Sequence, residues 1–372
     1  MRHFIRSPLS LLPSTLVLSL LAAGSPAAQE RVKVVSSLPN FGSIATAIAG
    51  DRIDLTVIAS GAQDAHFVDP KPSYIVKLRK ADLFLVNGLD LEVGWVPPLT
   101  QGARTARILP GGPGYIDCSA GVRVVEIPLS LSRTEGDVHP YGNPHYLTDP
   151  LNAEIVAGTI AEALKRADPA SAQIYEDGRK AFVRHLHEAV FGKDLVDLAG
   201  GAKLAREAGA GSLDSFLDTT VIGGAPLRTH LGGWLGKMQP LKGKPLLTYH
   251  KDCSYFASRF GIQVVEYVEP KPGIQPSAKH LEELVERLKQ GDVQVIVTRP
   301  FVEHRSTDSL AARTGVKVII LPLEVGGAPE AADYFKMFDY VTDQLLKAFG
   351  ANARSGPGGA GRGVAADSSG TR

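Results

Sequence analysis

The chain has 372 residues, and its 40 basic side chains are balanced by 39 acidic ones. This balance gives no electrostatic case for binding to nucleic acid or to an anionic membrane surface. Two cysteines, Cys118 and Cys253, are too few for a disulfide scaffold, and their wide separation favours two independent buried thiols over one disulfide.

The first thirty residues have the pattern of a secretory signal peptide. A basic start is followed by an apolar run over 9–23 and by small residues over 25–28. We predict cleavage near Ala27 or Ala28, which removes residues 1–28. The apolar run is too short for a good membrane anchor, and no cysteine follows it to accept a bacterial lipid. These features predict a soluble, periplasmic protein, and the length that remains is large enough for two lobes.

Residues 31–168 are predicted to form an N-terminal α/β lobe. Short β-rich runs alternate there with helical segments, which is typical of a parallel sheet wrapped by helices. A Pro-Ser pair at the start of the second helical segment is a favourable helix start. The predicted strands are 32–36, 54–58 and 82–86, and the predicted helices between them are 43–49 and 72–80.

A long helix and an irregular connector are predicted to link the lobes over 169–241. The helix over 149–167 that precedes them is capped by Asp149. Asp168-Pro169 ends that helix, because the residue before a proline avoids helical angles. The linking helix is predicted over 170–196, and paired glycines break the remainder into short pieces.

Residues 242–349 are predicted to form a second α/β lobe, because strands and helices alternate there again. The tail over 350–372 is rich in Gly, Ala, Ser and Arg without apolar periodicity, so it is predicted to be disordered. The predicted strands are 245–249, 264–268, 293–298 and 316–321, and the predicted helices are 253–260, 277–290, 307–314 and 331–349.

Three histidines stand in matching settings, in or next to polar loops where strand-like runs end. They are His66, His145 and His250. Loops on a rigid scaffold can direct imidazoles at one point, and three nitrogens with one oxygen suit tetrahedral zinc. The long spacing is not diagnostic by itself, since a single loop histidine is more often a surface residue. That ordinary interpretation is given to His139, His185, His187, His230, His280 and His304.

The motifs around the three histidines resemble those of the zinc- and manganese-binding solute receptors of ABC importers, the cluster A-I or TroA-like receptors. His66 precedes a Pro-x-Pro-Ser helix start at 70–73. His145 lies in Asn-Pro-His-Tyr-Leu-Thr-Asp-Pro-Leu-Asn-Ala over 143–153, where the family has Asp-Pro-His-x-x-x-Asp-Pro-x-Asn-Ala. His250 follows a strand and precedes an aromatic helical segment, as the third family histidine does.

The resemblance covers about residues 32–349 and implies two α/β lobes with parallel sheets, joined by a long rigid helix, with the metal site in the interlobe cleft. It implies that His66 and His145 come from the first lobe and His250 from the second. Many relatives add an Asp from a late loop of the second lobe, where this chain has Glu324 instead. The predicted metal ligands are therefore His66, His145, His250 and Glu324. Glu303 or a water is the alternative to Glu324, whose ordinary interpretation is an exposed loop residue.

The chain departs from the family pattern in several places. Asn143 replaces the family Asp, and the acidic, histidine-rich loop of some zinc receptors is absent, with only His139 nearby. Cys253 falls where relatives often have an aromatic residue and is expected to pack inward rather than bind metal. Asp149 can orient the ring of His145 or cap the following helix, and the cap is favoured.

These features predict a monomeric, high-affinity periplasmic receptor for Zn(II), with Mn(II) as the second candidate ion. Its partners are an ABC permease and the associated ATPase, and it is not an enzyme. Three imidazole nitrogens favour zinc, whereas a glutamate ligand improves the case for manganese. One alternative is a secreted zinc hydrolase, which needs a general base near a metal-bound water. The other is a metallochaperone or adhesin that works without a permease.

Overall fold

A computed structural model describes Met1 and residues 30–128, 139–271 and 273–350. The predicted signal peptide and all but the first residue of the predicted disordered tail lie outside these described residues. Within the described part, no helix is both long and apolar enough to cross a membrane.

The N-terminal lobe contains a four-stranded parallel sheet in the order β2-β1-β3-β4. Its first and third strands are buried along most of their length, as expected where helices cover a parallel sheet. The predicted strands are confirmed to within one residue, but the short β4 and the helix α3 were not predicted. The strands are β1 (Val32–Ser36), β2 (Ile53–Val57), β3 (Leu83–Val86) and β4 (Tyr115–Asp117), and the helices are α1 (Pro39–Ala49), α2 (Pro72–Lys80) and α3 (Val96–Ala103).

Two helices follow this sheet and bridge to the second half of the chain. α4 covers Asn152–Ala167 and α5 covers Ala172–Phe191. The prediction that α4 begins at Asp149 is wrong by three residues. The carboxylate of Asp149 accepts a hydrogen bond from the backbone N–H of Leu151 at 3.0 Å, so it caps a turn that precedes the helix.

The remainder of the link is mostly helical, so the prediction of an irregular connector is wrong. The prediction of one helix up to residue 196 is also wrong, because α5 ends at Phe191 and α6 begins at Lys193. Gly192 and Gly200 have φ values of +89° and +81°, and each ends one helix and starts the next without a long loop. The elements are α6 (Lys193–Ala199), α7 (Gly201–Ala210), α8 (Leu213–Thr219), the antiparallel pair β5 (Val221–Ile222) and β6 (Ala225–Pro226), and α9 (Gly233–Met238).

The C-terminal lobe has a second four-stranded parallel sheet, in the order β10-β9-β7-β8. This confirms the predicted fold class of two parallel α/β sheets. The strands are β7 (Pro245–Thr248), β8 (Gln263–Tyr267), β9 (Val295–Thr298) and β10 (Lys317–Ile320), and the helices are α10 (Ser254–Phe260), α11 (Ala278–Lys289), α12 (Arg305–Thr314) and α13 (Tyr334–Ala348).

Loops at the carboxyl ends of the two sheets meet. Asn40, just after β1, donates its backbone N–H to the carboxylate of Glu324 at 3.1 Å. Gly61 lies so close to the loop after β10 that a Cβ atom there would be 2.2 Å from the carbonyl oxygen of Val325. Ligand sites of open α/β sheets lie at such carboxyl ends, so this junction is where a site is expected.

Gly192→Ala should lower the free energy of unfolding by about 1–3 kcal/mol. Alanine disfavours the positive φ of this residue, and its Cβ would lie 2.7 Å from the Cα of Gly232. Gly209→Ala is the matched control, because a Cβ at this α7 glycine would meet no neighbouring atom of the described residues within 4 Å. The control should raise stability by about 0.5–1 kcal/mol. Urea unfolding measures both, and equal effects would contradict the close packing of Gly192.

Candidate metal centre

His66 lies in the loop after β2, and its ring is oriented by a carboxylate. The backbone N–H of His66 donates to Asp64 Oδ1 at 3.0 Å, and the ring nitrogen Nδ1 lies 2.7 Å from the same oxygen. The carbonyl oxygen of Ala65 accepts from the indole of buried Trp95 at 2.8 Å, which anchors the loop. Because the Asp64 carboxylate can only accept, Nδ1 has the proton and the lone pair is on Nε2.

Burial acts to raise the pKa of Asp64, but the hydrogen bond and the charge of His66 outweigh it and leave the pKa below its ordinary value. The carboxylate is therefore ionised near neutral pH. An ionised acceptor behind the ring makes Nε2 of His66 a better donor to a metal.

His145 is held in place through its two neighbours in the chain, Pro144 and Tyr146, which are both hydrogen-bonded to Asn87. Asn87, which follows β3, donates from its side chain to the carbonyl of Pro144 at 3.2 Å. The Asn87 carbonyl accepts from the buried hydroxyl of Tyr146 at 2.9 Å. Glu92 in turn accepts the backbone N–H of Asn87 at 2.9 Å. This buried support fixes the backbone on both sides of the ring, although sequence reasoning gave Asn87 and Glu92 no role.

One ring nitrogen of His145, Nε2, is buried without a hydrogen bond to any of the described residues. Burial, and then the charges of His66 and His250, lower the pKa of His145 well below its ordinary value, so the ring is neutral. A buried neutral nitrogen without a partner is costly in a folded protein and needs an explanation.

His250 follows β7 directly and is oriented by the second lobe. Its Nδ1 is hydrogen-bonded to the carboxylate of Glu269, so its lone pair is also on Nε2. Burial acts to lower the pKa of His250, but the hydrogen bond to Glu269 and the nearby charge of Asp252 outweigh it and raise the pKa.

A buried ion pair fixes the loop that contains His250. Arg299, after β9, contacts the Asp252 carboxylate at 2.6 and 2.7 Å and donates to the carbonyl of Leu321, after β10, at 3.1 Å. Both side chains of the pair are almost completely buried. Three strand ends of the second sheet are thereby joined beside His250.

The structure brings the three predicted histidines together. One ligand nitrogen from each of His66, His145 and His250 lies within 4.8 Å of the others. The centroids of the three rings are 5.4 to 5.6 Å apart. They line a cavity of about 90 Å³ at the junction of the two lobes.

The predicted fourth ligand, Glu324, lines the same cavity but does not belong to that cluster of ligand atoms. Its carboxylate accepts the backbone N–H of Asn40, and burial raises its pKa to about 8. Glu324 is also not an exposed loop residue, which was the ordinary interpretation of its position. The alternative Glu303 is exposed and pairs with Arg305 at 2.9 Å, so the structure does not bring it to the cavity.

His139 is a residue that sequence reasoning missed. Its Nε2 lies 3.1 Å from Nε2 of His66, and the two rings stack with centroids 5.1 Å apart. Burial, and then the charges of His66 and His250, lower the pKa of His139 to about 3. No sequence motif marks it, and the one available signal is its position six residues before His145.

The family departures have structural explanations. The side-chain amide of Asn143 donates to the Glu126 carboxylate at 2.7 Å and to the Lys251 carbonyl at 3.0 Å, which an aspartate could not do. Asp149 forms two hydrogen bonds with Arg259 at 2.8 and 2.9 Å and does not orient His145.

The two cysteines are unpaired, as predicted. Cys253 accepts a hydrogen bond from Arg299 at 2.8 Å and lines an apolar cavity beneath α13, so it packs inward as expected. Burial raises its pKa to about 12, which keeps it a neutral thiol.

A family model described as zinc-uptake complex component A, periplasmic, matches residues 34–190 and 234–348. The chain belongs to this family. The matched segments contain His66, His145 and His250, together with both parallel sheets. The unmatched segment between them corresponds to α6, α7 and α8 with the small β5-β6 pair.

Relatives within this receptor family differ in the ion they are named for. The manganese ABC transporter substrate-binding lipoprotein PsaA of Streptococcus mitis is 25% identical over 342 residues, which cover 90% of this chain and 95% of PsaA. The iron ABC transporter substrate-binding lipoprotein MtsA of Streptococcus pyogenes serotype M1 is 23% identical over 78% of this chain and 79% of MtsA. A crystal structure of ZnuA superposes with a TM-score of 0.62 at 21% identity, covering 86% of this chain and 99% of that chain.

In the metal-free protein, His250 should take up a proton at higher pH than His145. The Glu269 carboxylate raises the pKa of His250, whereas burial lowers that of His145. Imidazole ¹³Cε1 shifts followed from pH 8 to pH 5, assigned with His250→Ala and His145→Ala, measure the order. Protonation of His145 before His250 would contradict the described environments.

Proposed function

We propose that this protein is a periplasmic receptor that binds a divalent metal ion, zinc first, and delivers it to an ABC permease and its ATPase. The main support is the buried Nε2 of His145, which has no hydrogen-bond partner among the described residues yet lies in a cluster of three imidazoles. Leaving such an atom unsatisfied costs about 1–3 kcal/mol. A bound ion removes that cost by accepting the lone pair.

The ligand chemistry favours zinc. Neutral imidazoles bind zinc at about 2.0–2.1 Å, and tetrahedral geometry then separates the nitrogens by roughly 3.4 Å. The observed limit of 4.8 Å is close enough for small ring movements to reach this spacing. Manganese prefers more oxygen donors, and the two carboxylates that contact the rings, Asp64 and Glu269, are directed at Nδ1 rather than at the cavity centre.

The lobe arrangement supports a carrier. His66 and His145 belong to the first lobe and His250 to the second, so separation of the lobes removes one ligand and weakens binding. Release to a membrane partner needs such a change, because an ion held by three imidazoles dissociates slowly. The neighbouring genes are expected to encode the permease and the ATPase.

A hydrolase is less well supported. It needs a free general base near a metal-bound water. Among the described residues that line the cavity, Asp64 and Glu269 are bonded to ligand rings, Asp252 to Arg299, and Glu324 to Asn40. Turnover of ester, peptide or phosphate substrates that disappears with a chelator would favour the enzyme.

That the protein is periplasmic and has no lipid anchor stays a prediction. The relatives PsaA and MtsA are both named lipoproteins, so they do not support the absence of a lipid anchor. Labelling of the producing cells with a radioactive fatty acid tests it, and a labelled protein would overturn the prediction.

His66→Ala, His145→Ala and His250→Ala should each lower zinc affinity by more than about 100-fold, the upper end of what loss of a residue behind a ligand costs. Each change removes one of three nitrogen donors. Competition against a chromophoric chelator measures affinity, and elemental analysis gives the stoichiometry. His230→Ala, a histidine outside the cluster, is the matched control. Unchanged affinity in all three variants would refute the site.

Asp64→Ala and Glu269→Ala should lower zinc affinity by about 10–100-fold, because each removes the acceptor that fixes a ligand ring. The same competition titration measures this effect. Glu266→Ala changes an exposed carboxylate three residues before Glu269 and should leave affinity unchanged. An effect of Glu266→Ala as large as that of Glu269→Ala would point to general charge instead of ring orientation.

A further inference from the structure

We propose that His139 is a fourth imidazole ligand of the ion, which makes the site all-nitrogen and selective for zinc over manganese. This inference rests on the proposed function. Nothing in the family motifs assigns this residue, and it lies six positions before the motif histidine His145.

Distances around His139 fit a shared ion. Its Nε2 is 3.1 Å from Nε2 of His66, close to the roughly 3.4 Å that two nitrogens have on one tetrahedral zinc. With Zn–N of about 2.1 Å, the centroids of two bound imidazoles lie roughly 5 Å apart. The His139 ring is 5.1 Å from that of His66 and 6.3 Å from that of His145. It lies outside the group of three nitrogens within 4.8 Å of one another, so ligation requires the ring to rotate toward His145 and His250.

The hydrogen bond between His139 and His66 uses the lone pair that a metal needs. Because Nδ1 of His66 has the proton that is donated to Asp64, Nε2 of His66 is the acceptor and Nε2 of His139 is the donor. A bound ion takes the lone pair of His66 and breaks this bond. A tautomer change that moves the His139 proton to Nδ1 then frees its Nε2 for the ion, without any change in net charge.

The backbone keeps His139 beside the cluster when this hydrogen bond is lost. Its carbonyl accepts the N–H of Gly142 at 3.1 Å, and Asn143 N–H bonds the Val125 carbonyl at 2.9 Å. The Asn143 side chain adds the bond to Glu126 at 2.7 Å. These bonds hold the backbone between His139 and Asn143, so the proposed movement is that of the imidazole ring.

Glu324, the rival fourth donor, is less available. Its carboxylate is bonded to the backbone of Asn40, whose side chain also bonds the carbonyl of Leu323 at 2.9 Å and the N–H of Val325 at 2.9 Å. Turning the Glu324 loop toward the histidines would strain this three-bond contact between the lobes. Rotation of His139 breaks one hydrogen bond and immediately replaces it with a metal bond.

The test compares zinc-loaded wild-type protein with His139→Ala, with His230→Ala as the matched control. Zinc K-edge EXAFS counts bound imidazoles, and chelator competition gives the affinities for zinc and manganese. We expect four imidazoles in the wild type and in the control, and three in His139→Ala. Zinc affinity should fall at least about tenfold in His139→Ala, the lower end of what loss of a residue behind a ligand costs, with a smaller change for manganese. Circular dichroism melting shows that the variant is folded.

Three imidazoles in the wild type, or unchanged zinc affinity in His139→Ala, would overturn the inference. So would a loss of one oxygen donor in Glu324→Gln with His139→Ala unaffected, since that result assigns the fourth position to the carboxylate. These outcomes leave the proposed receptor function intact. Failure of that function has a different signature, namely zinc affinity that does not respond to loss of His66, His145 or His250.

Discussion

The ion pair between Asp149 and Arg259 is the constraint on which the geometry of the centre depends. Asp149 ends the short turn after His145, and Arg259 belongs to α10, the helix after His250. Their two hydrogen bonds are largely shielded from water, where a bidentate pair of this kind is strong and geometrically specific. Since the two ligand loops come from different lobes, a contact next to both fixes their distance.

A second set of polar contacts also joins the two lobes at this junction. The Tyr255 hydroxyl, also on α10, donates to the Asn143 carbonyl at 2.9 Å and accepts the Val125 N–H at 3.1 Å. Together with the Asn40 contact to the loop of Glu324, these bonds close the lobes around the three rings. A receptor that must later release its ion needs a junction of this type, made of separate polar contacts that can open.

The electrostatics of the centre suit a dication. In the proposed site the nitrogens offered to the ion carry lone pairs, and the negative charge comes from Asp64 and Glu269, one behind a ring from each lobe. These carboxylates would compensate the 2+ charge of the proposed ion, and both contact Nδ1 of a ring rather than the cavity centre. In the proposed site, oxygen therefore balances the charge and nitrogen coordinates the ion.

Local patterns were sufficient to predict much of this structure. The strand at Val32–Ser36 and the helix at Pro72–Lys80 were predicted to the residue, because a valine-rich run and a proline helix start are local signals. Three-residue β4 is too short to have such a signal. The paired glycines of the link were interpreted as loop, whereas Gly200 has a positive φ at the junction of two short helices and Gly223-Gly224 form the turn between β5 and β6.

The sequence by itself determined the parallel α/β fold and the three motif histidines, because each depends on a pattern within about ten neighbouring residues. Tertiary structure alone decided which other groups reach them. His139 contacts His66 across 73 positions, and Glu324 is turned to Asn40 across 284 positions. Such pairings arise from loop closure and lobe packing, which have no local pattern, so the surroundings of the three histidines became visible only in three dimensions.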